Sequence, residues 1–334
     1  MNKYLSGAAV CAISFAFVTE ASATEWNVSV WGKRRAFTEH VEKMAELVSE
    51  KTNGEFTMNI SYGGLSKNTE NLDGISIGAF EMAQFCAGYH ADKNPSITVL
   101  ELPFLGVSTL EEEVAVSKAV YAHPATIADL ARWNATLLMP SPMPQYNLAG
   151  VGAAPSTIAD FQGLTVRATG GIGEAMTLAG AVPTSVTSEE ARQALDSGIV
   201  KSIAFAPHAH MSFGIMEVAK WWTDDLNPGT VNCPIVVNTD ALEALSDSER
   251  EALLGSVDES LAYYIDYYNN ETMGKWGPLL EEKGVEVINY NPERLAEFRE
   301  MAAGPVSQKW IEENNARGLP AQELYDLVIT TLGK

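Results

Sequence analysis

The order of predicted strands and helices constrains the fold of this chain more than any other feature. Residues 26–31 alternate apolar and polar side chains, which is typical of a strand, and residues 36–50 repeat apolar side chains at helical spacing. A strand at 56–62, a short helix at 68–77 and a strand at 81–86 follow. Strands that alternate with helices in this way lie parallel, so the pattern predicts an α/β unit with a mostly parallel sheet.

A second α/β block is predicted after a helical stretch at 109–132. Strands at 164–168 and 199–205 flank helices at 172–178 and 187–195. A chain of 334 residues exceeds one typical core, so we expect two lobes. No segment has the composition of a flexible linker, so ordered segments must carry the chain between the lobes.

A long helix is predicted towards the C-terminus. Ser246-Asp-Ser-Glu249 is a capping-box pattern, and the helix is expected to run from there to about Lys283. Gly277-Pro278 interrupts it, and proline inside a helix predicts a kink at that point. A helix of this length can bridge two lobes. The tail, residues 292–334, is predicted to form two or three short helices that pack back.

The N-terminus has the pattern of a secretory signal peptide. Lys3 precedes an apolar run over residues 4–18, and Ala21-Ser22-Ala23 places small residues at the two positions that a signal peptidase reads. We therefore expect cleavage after about Ala23, with residues 1–23 removed, and a periplasmic mature protein. The run is too short for a good membrane span.

The net charge and the cysteine content further restrict the functions that this chain can have. The net charge of −21 argues against binding to nucleic acid, which needs a basic surface, and a site for anions must supply its own positive charge. Two cysteines remain after cleavage, Cys86 and Cys233. Their sequence leaves open whether they form a disulfide or stay as buried thiols.

The segment Gly163-Leu-Thr-Val-Arg167 carries the strongest functional signal. Its arginine ends a predicted strand, just before Gly170-Gly171 opens a helix. An arginine there can present its planar, permanently charged fork to a small organic anion. The alternative is a surface arginine that pairs with a carboxylate of the protein itself.

Five segments stand together in an order that is typical of one family. They are Thr52-Asn53-Gly54, Glu101–Leu105, Gly163–Arg167, Gly180–Pro183 and Ala194–Val200. Together they resemble the extracytoplasmic solute-binding proteins of TRAP transporters (tripartite ATP-independent periplasmic transporters), of the dicarboxylate-binding DctP type. The resemblance covers essentially the whole mature chain.

The resemblance implies a two-lobed α/β clamp of the periplasmic-binding-protein kind. Its sheets would be mixed and mostly parallel, with crossing strands and a long kinked helix that spans both lobes. Residues 24–146 and about 236–277 would form the first lobe, and residues 147–235 and about 278–334 the second. In this family the arginine of the G-L-x-x-R segment, here Arg167, pairs with the carboxylate of the ligand.

The resemblance also implies the partners. The protein would deliver a small organic anion to the membrane subunits of a TRAP permease, which is driven by an ion gradient and needs no ATP. Many relatives carry a second arginine twenty positions before the first, where this chain has Asn147. Asn147 is therefore a candidate ligand contact that favours a monocarboxylate, with a zwitterion or a sulfonate as the alternatives. We expect a monomer.

Phe205 and His208 form a second group of candidates. Phe205 could stack on the ligand or cover it, and the alternative is a plain core position. His208 could hydrogen-bond the ligand. His210 would share a side with His208 in an extended segment, but a metal site needs more ligands than these two. We expect no metal there.

Three further candidates lie at the ends of predicted strands. Trp31 ends the first strand, beside the basic triplet Lys33-Arg34-Arg35, for which a ligand anion or a neighbouring acidic side chain could compensate. Gln84 and Phe85 end the third strand, where open α/β sheets place their ligand crevice.

Two other functions remain as alternatives. A secreted α/β enzyme could act on a small carboxylate with His208 and Arg167, and a ligand sensor could hand its closed form to a signalling protein. The sequence has neither an H-E-x-x-H pair nor a P-loop, and its histidines and mature cysteines form no recognisable catalytic set. We therefore expect no enzymatic activity and no cofactor.

Overall fold

The structure is a computed structural model that describes residues 23–334. These residues fold around two β-sheets. The predicted signal peptide lies outside the described residues, except for Ala23 at its end. No helix in the described part of the chain is long and apolar enough to span a membrane.

The strands and helices follow the predicted alternation. The strands are β1 (Thr24–Val30), β2 (Phe56–Tyr62), β3 (Met82–Gln84), β4 (Ala135–Met139), β5 (Asn147–Gly150), β6 (Thr165–Arg167), β7 (Val182–Thr184), β8 (Ser202–Phe205), β9 (Trp221–Thr223), β10 (Ile235–Asn238) and β11 (Glu286–Ile288). The helices are α1 (Glu39–Lys51), α2 (Asn71–Ser76), α3 (Leu110–Tyr121), α4 (Pro124–Ala131), α5 (Gly170–Leu178), α6 (Ala191–Asp196), α7 (Pro207–Ser212), α8 (Thr239–Ala244), α9 (Asp247–Leu254), α10 (Val257–Tyr267), α11 (Met273–Lys283), α12 (Pro292–Ala316) and α13 (Ala321–Thr331).

Each sheet contains one strand that runs against the others. The first sheet has the order β2-β1-β3-β10-β4, and β10 is antiparallel to both of its neighbours. The second has the order β11-β9-β5-β8-β6-β7, and β5 is antiparallel to both of its neighbours. The remaining pairings are parallel. The antiparallel strands β5 and β10 each follow a segment by which the chain passes from one sheet to the other, so ordered chain ties the sheets together.

The predicted long helix is correct in extent but wrong in detail. The segment divides into α9, α10 and α11, with a break at Gly255-Ser256 and a π-helical turn over Tyr268–Thr272. Pro278 lies inside α11, which continues through it, and the kink predicted at Gly277-Pro278 stays a prediction. Pro278 lies on the exposed side of α11, where water can satisfy the carbonyl group that a proline leaves unbonded. Ser246 and Glu249 form the predicted capping box.

The C-terminal tail contacts the cores beside both sheets. Phe298 of α12 joins the core around the second sheet. Val306 of the same helix and Leu324 of α13 join the core beside the first sheet, where α13 packs on α3. The 25 residues of α12 give it the length to do this, at about 1.5 Å per residue. The lobe boundaries, including the place of residues 278–334 in the second lobe, remain a prediction.

Candidate functional site

A cavity lies where the ends of the two sheets face each other. Both sheets contribute to its lining, which consists of Trp31, Arg35, Phe37, Cys86, Gly88, Tyr89, Glu101, Met143, Tyr146, Arg167, Thr169, Ser188, Phe205, His208, Ala209, Phe213, Val231 and Cys233. Its volume is about 20 Å³, which is room for roughly one water molecule, whereas a cavity that binds benzene measures about 150 Å³. A solute of that size can therefore enter only when the walls move apart.

Arg167 lies on the second-sheet wall of this cavity. It ends β6, next to the parallel strand β8, and it is 2% exposed. Its Nε donates to Val186 O at 3.0 Å and its Nη2 to Tyr89 Oη at 2.9 Å. Its guanidinium stacks on the Phe205 ring at 4.6 Å. These contacts hold the fork in one orientation.

The surroundings of Arg167 do not match the predicted alternative of a surface ion pair. The guanidinium is buried, and no carboxylate among residues 23–334 lies within 4.0 Å of it. Phe205 ends β8 beneath it and is 1% exposed. An arginine and an aromatic ring at the carboxyl ends of adjacent parallel strands are well placed to receive a small anion.

His208 lies at the start of α7, and its buried side chain forms part of the cavity wall. Its Nδ1 is 3.0 Å from Tyr268 Oη, and its ring stacks on Phe37 at 5.3 Å. Burial lowers the pKa of His208 well below its usual range, and the charge of Arg35 lowers it further. The ring is therefore neutral at physiological pH. Tyr268 reaches it from the π-helical turn, a distortion that frequently occurs at functional sites.

His210 does not share a side with His208. Residues 207–212 form a helix, not the extended segment that a shared side requires, so the two rings point apart. The His210 ring packs against Trp222 at 4.9 Å and Trp276 at 5.9 Å. Within residues 23–334, no group of three histidine, cysteine or acidic side chains is arranged to hold a metal ion.

Gln84 and Phe85 do not line the cavity, contrary to the sequence prediction. Gln84 Nε2 donates to Ser141 Oγ at 3.0 Å, and Phe85 packs in the first-sheet core with its ring 5.3 Å from His90. The cavity wall begins one residue later, at Cys86. The strand β3 ends at Gln84, so the chain turns towards the cavity only beyond the strand, and Cys86 is the first residue to reach it.

Asn147 also lies outside the cavity. Its Nδ2 donates to Asn227 Oδ1 at 2.7 Å, and its Oδ1 accepts from Thr223 Oγ1 at 3.2 Å and Asn227 N at 3.1 Å. The side chain therefore braces β5 against β9 and the loop that follows β9. Asn147 does not line this cavity, and the predicted ligand contact at this position stays a prediction.

Several side chains of the lining were not among the predicted contacts, and the polar ones are Arg35, Tyr89, Glu101, Thr169 and Ser188. Arg35 belongs to the basic triplet, but spacing alone does not reveal which of its three side chains turns inward. Arg34 instead lies at the surface, where its Nη2 is 2.8 Å from Glu39 Oε2. Glu101 is 2% exposed, and its Oε1 accepts from Gly88 N at 3.1 Å and Asn232 N at 3.0 Å. Burial raises the pKa of Glu101 to about 7.

Cys86 and Cys233 form a disulfide in the cavity wall. Cys86 follows β3 and Cys233 precedes β10, and these strands are neighbours in the first sheet. The sequence left this pairing open because the two residues are 147 positions apart.

Direct contacts cross the cleft and hold the walls together. Tyr89 Oη, which contacts Arg167, is also 3.2 Å from Ser188 Oγ. Asn68 Nδ2 donates to Glu189 Oε2 at 2.8 Å. The small cavity and these contacts describe a closed clamp.

Comparisons with known proteins agree on one family. The model of the bacterial extracellular solute-binding proteins, family 7, matches residues 28–314. A solute-binding protein of Sulfitobacter sp. strain NAS-14.1 is 24% identical over 325 residues, covering 95% of this chain and 96% of that protein. An extracytoplasmic solute receptor of Bordetella pertussis binding pyroglutamic acid is 21% identical, with a TM-score of 0.78 over 91% of this chain and 100% of that one.

A second solved structure has the same fold. It is a TRAP periplasmic solute-binding protein of Desulfovibrio salexigens with bound orotic acid, 19% identical, with a TM-score of 0.82 over 92% of this chain and 98% of that one. The two likenesses confirm the predicted two-lobed α/β fold class.

Proposed function

The chain belongs to family 7 of the bacterial extracellular solute-binding proteins, and we propose that it is the periplasmic receptor of a TRAP-type transporter, closing around a small organic acid. The observation that carries this proposal is Arg167, a buried and oriented guanidinium in the cleft that forms no ion pair with a carboxylate of residues 23–334. The acid group of the solute supplies the missing negative charge.

The energetics of a closed cleft support this role. A guanidinium–carboxylate pair contributes little in water, but the same pair becomes strong where closure removes water and the fork is already held in place. Pyroglutamic acid and orotic acid, the ligands of the two structurally similar receptors, are both carboxylic acids. Their shared chemistry is consistent with an arginine anchor.

Closure is the proposed signal to the permease. The open form admits the solute, and the solute shifts the equilibrium only by as much as it prefers the closed form. Arg167 holds the acid from the second-sheet wall, while Trp31 and Tyr89 complete the cage from the first-sheet wall. The membrane subunits then recognise the closed surface of a monomer.

We propose binding rather than catalysis. His208 is the side chain on which an acid–base role would depend, but burial keeps its pKa well below the physiological range. It is therefore poorly suited to exchange protons with a substrate at neutral pH.

Calorimetric titration of a panel of carboxylates and sulfonates tests the anchor. For the tightest ligand, we expect Arg167→Ala to weaken binding by about 30-fold or more, because removing one partner of a buried charge pair costs about 2–5 kcal/mol. Arg167→Lys should recover only part of the loss, since an ammonium cannot offer two parallel donors.

Arg294→Ala is the matched control, because Arg294 on α12 is partly exposed, lies away from the cavity lining and pairs with Glu297. It should bind the ligand as the wild type does. Full affinity in Arg167→Ala would show that the solute is anchored elsewhere.

A further inference from the structure

We propose that a second cavity, on the far side of Glu101 from the solute cavity, binds the ammonium group of a short aliphatic amine. The two cavities share only Gly88 and Glu101 in their linings. The second cavity has a volume of about 340 Å³, whereas a cavity that binds benzene measures about 150 Å³. It therefore has room for a small organic molecule in the structure as it stands. The proposed function does not depend on this site, because the solute cavity is a separate one.

The wall of the second cavity comes from three parts of the chain. The segment after β3 contributes residues 88–102, the start of α5 contributes Gly170-Gly171, and α12 contributes residues 306–317. Asp92 and Glu313 of this lining are exposed, so the cavity opens at the surface. A ligand can enter there from solvent without opening the clamp.

One carboxyl oxygen of Glu101 is left without a partner in this wall. Oε1 accepts from Gly88 N at 3.1 Å and Asn232 N at 3.0 Å, whereas Oε2 is buried without a hydrogen-bond partner among the described residues. A Cβ atom at Gly170 would lie 2.5 Å from Oε2, and one at Gly88 would lie 2.9 Å from it. Oε2 thus points between two glycines of the second cavity. A buried acceptor without a donor is costly, and a bound ligand that donates to it removes the cost.

Asn314 on α12 adds a second unsatisfied oxygen to the same lining. Its side chain is 5% exposed, and its Nδ2 donates to Trp310 O at 2.9 Å. Its Oδ1 is buried and has no hydrogen-bond partner within residues 23–334. An ammonium group has three N–H donors and no acceptor, so it can satisfy both Oδ1 of Asn314 and Oε2 of Glu101. An anion would satisfy neither.

The charges of the lining also favour a cation. Its ionisable side chains are Asp92, Glu101, Glu174, Glu313 and Arg317. Glu174 is paired with Lys309, whose Nζ lies 3.0 Å from its Oε2. Asp92 and Glu313 form no ion pair within residues 23–334. Acidic groups therefore outnumber basic ones, and they attract a positive ligand to the opening.

Trp310 indicates an organic cation rather than a metal ion. Its Nε1 donates to Thr98 Oγ1 at 2.8 Å, which holds the indole ring in the cavity wall. The face of an indole attracts ammonium groups, and its apolar surface suits the methylene chain of an amine. In the described part of the chain, no three histidine, cysteine or acidic side chains are arranged to hold a metal ion.

Titration with 1,4-diaminobutane tests the proposed site. Binding to the full mature protein is measured by calorimetry at low salt and pH 8, where Glu101 is mostly ionised because its pKa is about 7. We expect saturable binding of one diamine per protein. The fully N-methylated diamine has the same charges and chain but no N–H donor, so it should bind about tenfold or more weakly.

Two results with the wild type would overturn the inference. Equal affinity for the two amines would show that they are attracted only to the acidic surface. No saturable binding of 1,4-diaminobutane would show that the second cavity holds only water.

Variants assign the diamine to this cavity. Glu101→Gln should weaken its binding about tenfold or more, because the charge that faces the ammonium is lost. Asn314→Leu should weaken it a few-fold, as expected for one hydrogen bond. Glu113→Gln is the matched control, because Glu113 is an equally buried acid outside the lining, and it should keep the wild-type affinity. Wild-type affinity in Glu101→Gln or in Asn314→Leu, or an equal loss in Glu113→Gln, would overturn the assignment.

Discussion

At the scale of single residues, two buried acids lie in and behind the cavity wall. Glu101 lines the cavity, and Glu113 on α3 is also 2% exposed. Burial raises the pKa of Glu101 to about 7 and that of Glu113 to about 8, and the negative charge of Glu101 contributes to the second shift. Hydrogen bonds from Gly88 and Asn232 oppose the shift of Glu101 but do not cancel it.

This perturbation predicts a pH-dependent stability. The folded protein favours the neutral acid. The contribution of Glu101 to the free energy of unfolding is therefore fully present below its unfolded pKa of 4.5 and is lost as the pH rises through about 7. The loss is on the order of 3 kcal/mol. We therefore expect Glu101→Gln to gain stability relative to the wild type between pH 5 and pH 8, measured by thermal unfolding.

The exposed Glu55 provides the control, and Glu55→Gln should keep a constant difference from the wild type across this range. The same constant difference in Glu101→Gln would mean that Glu101 is already ionised in the folded protein near pH 5.

At the scale of elements, the disulfide links two neighbouring strands of the first sheet, which the chain leaves and later rejoins. The chain departs from the first sheet after β4, builds most of the second sheet, and returns as β10 between β3 and β4. Cys86–Cys233 joins the end of β3 to the start of β10 across 147 positions. It therefore fixes the return of the chain and one wall of the cavity together.

Reduction of this bond should weaken both the fold and the site. We expect a reductant such as TCEP to lower the free energy of unfolding by about 2–4 kcal/mol, because the reduced unfolded chain is less constrained. Ligand affinity should fall as well, since both cysteines line the cavity. Denaturant unfolding and calorimetry with and without TCEP measure the two effects.

The double variant Cys86→Ser/Cys233→Ser should resemble the reduced protein and show no response to TCEP. A wild type that keeps its unfolding midpoint in TCEP, once thiol titration shows full reduction, would contradict the proposed role of the disulfide.

At the scale of the whole molecule, direct polar contacts across the cleft stabilise the closed form. Asn68–Glu189 is one of these contacts, and neither side chain belongs to the cavity lining. A hydrogen bond of this kind contributes about 0.5–1.5 kcal/mol. Such a contact can thus bias the equilibrium between open and closed forms without contacting the solute.

Asn68→Ala should therefore weaken ligand binding by a few-fold, roughly the equivalent of one hydrogen bond. Small-angle scattering should show a larger radius of gyration for the unliganded variant than for the unliganded wild type, and ligand should compact both. Lys67→Ala, at an exposed neighbouring position, should behave as the wild type. Unchanged affinity and radius in Asn68→Ala would show that this contact does not stabilise closure.

The features that local sequence patterns reveal are those that depend on neighbouring residues. Alternation with a period of two, helical spacing and the capping box at Ser246 are properties of short segments, so the order of elements was predictable. The position of Arg167 at the end of β6 was predictable for the same reason. Trp31, Phe205 and His208, predicted from comparable positions, also line the cavity.

The remaining features depend on packing between segments that are distant in the chain. Gln84 and Phe85 lie at the predicted strand end, but the path of that strand end turns Cys86 towards the cleft and these two away. Asn147 binds the loop after β9, and the return of the tail to the first sheet depends on which face α3 leaves open. Arg34 and Arg35 are adjacent and of one type, yet Arg34 forms an ion pair at the surface, whereas Arg35 lies beside the cavity without an ion pair to any carboxylate of residues 23–334. The sequence thus determines which elements form, whereas the burial of a particular side chain is decided only when both sheets have come together, because burial depends on contacts that no local pattern encodes.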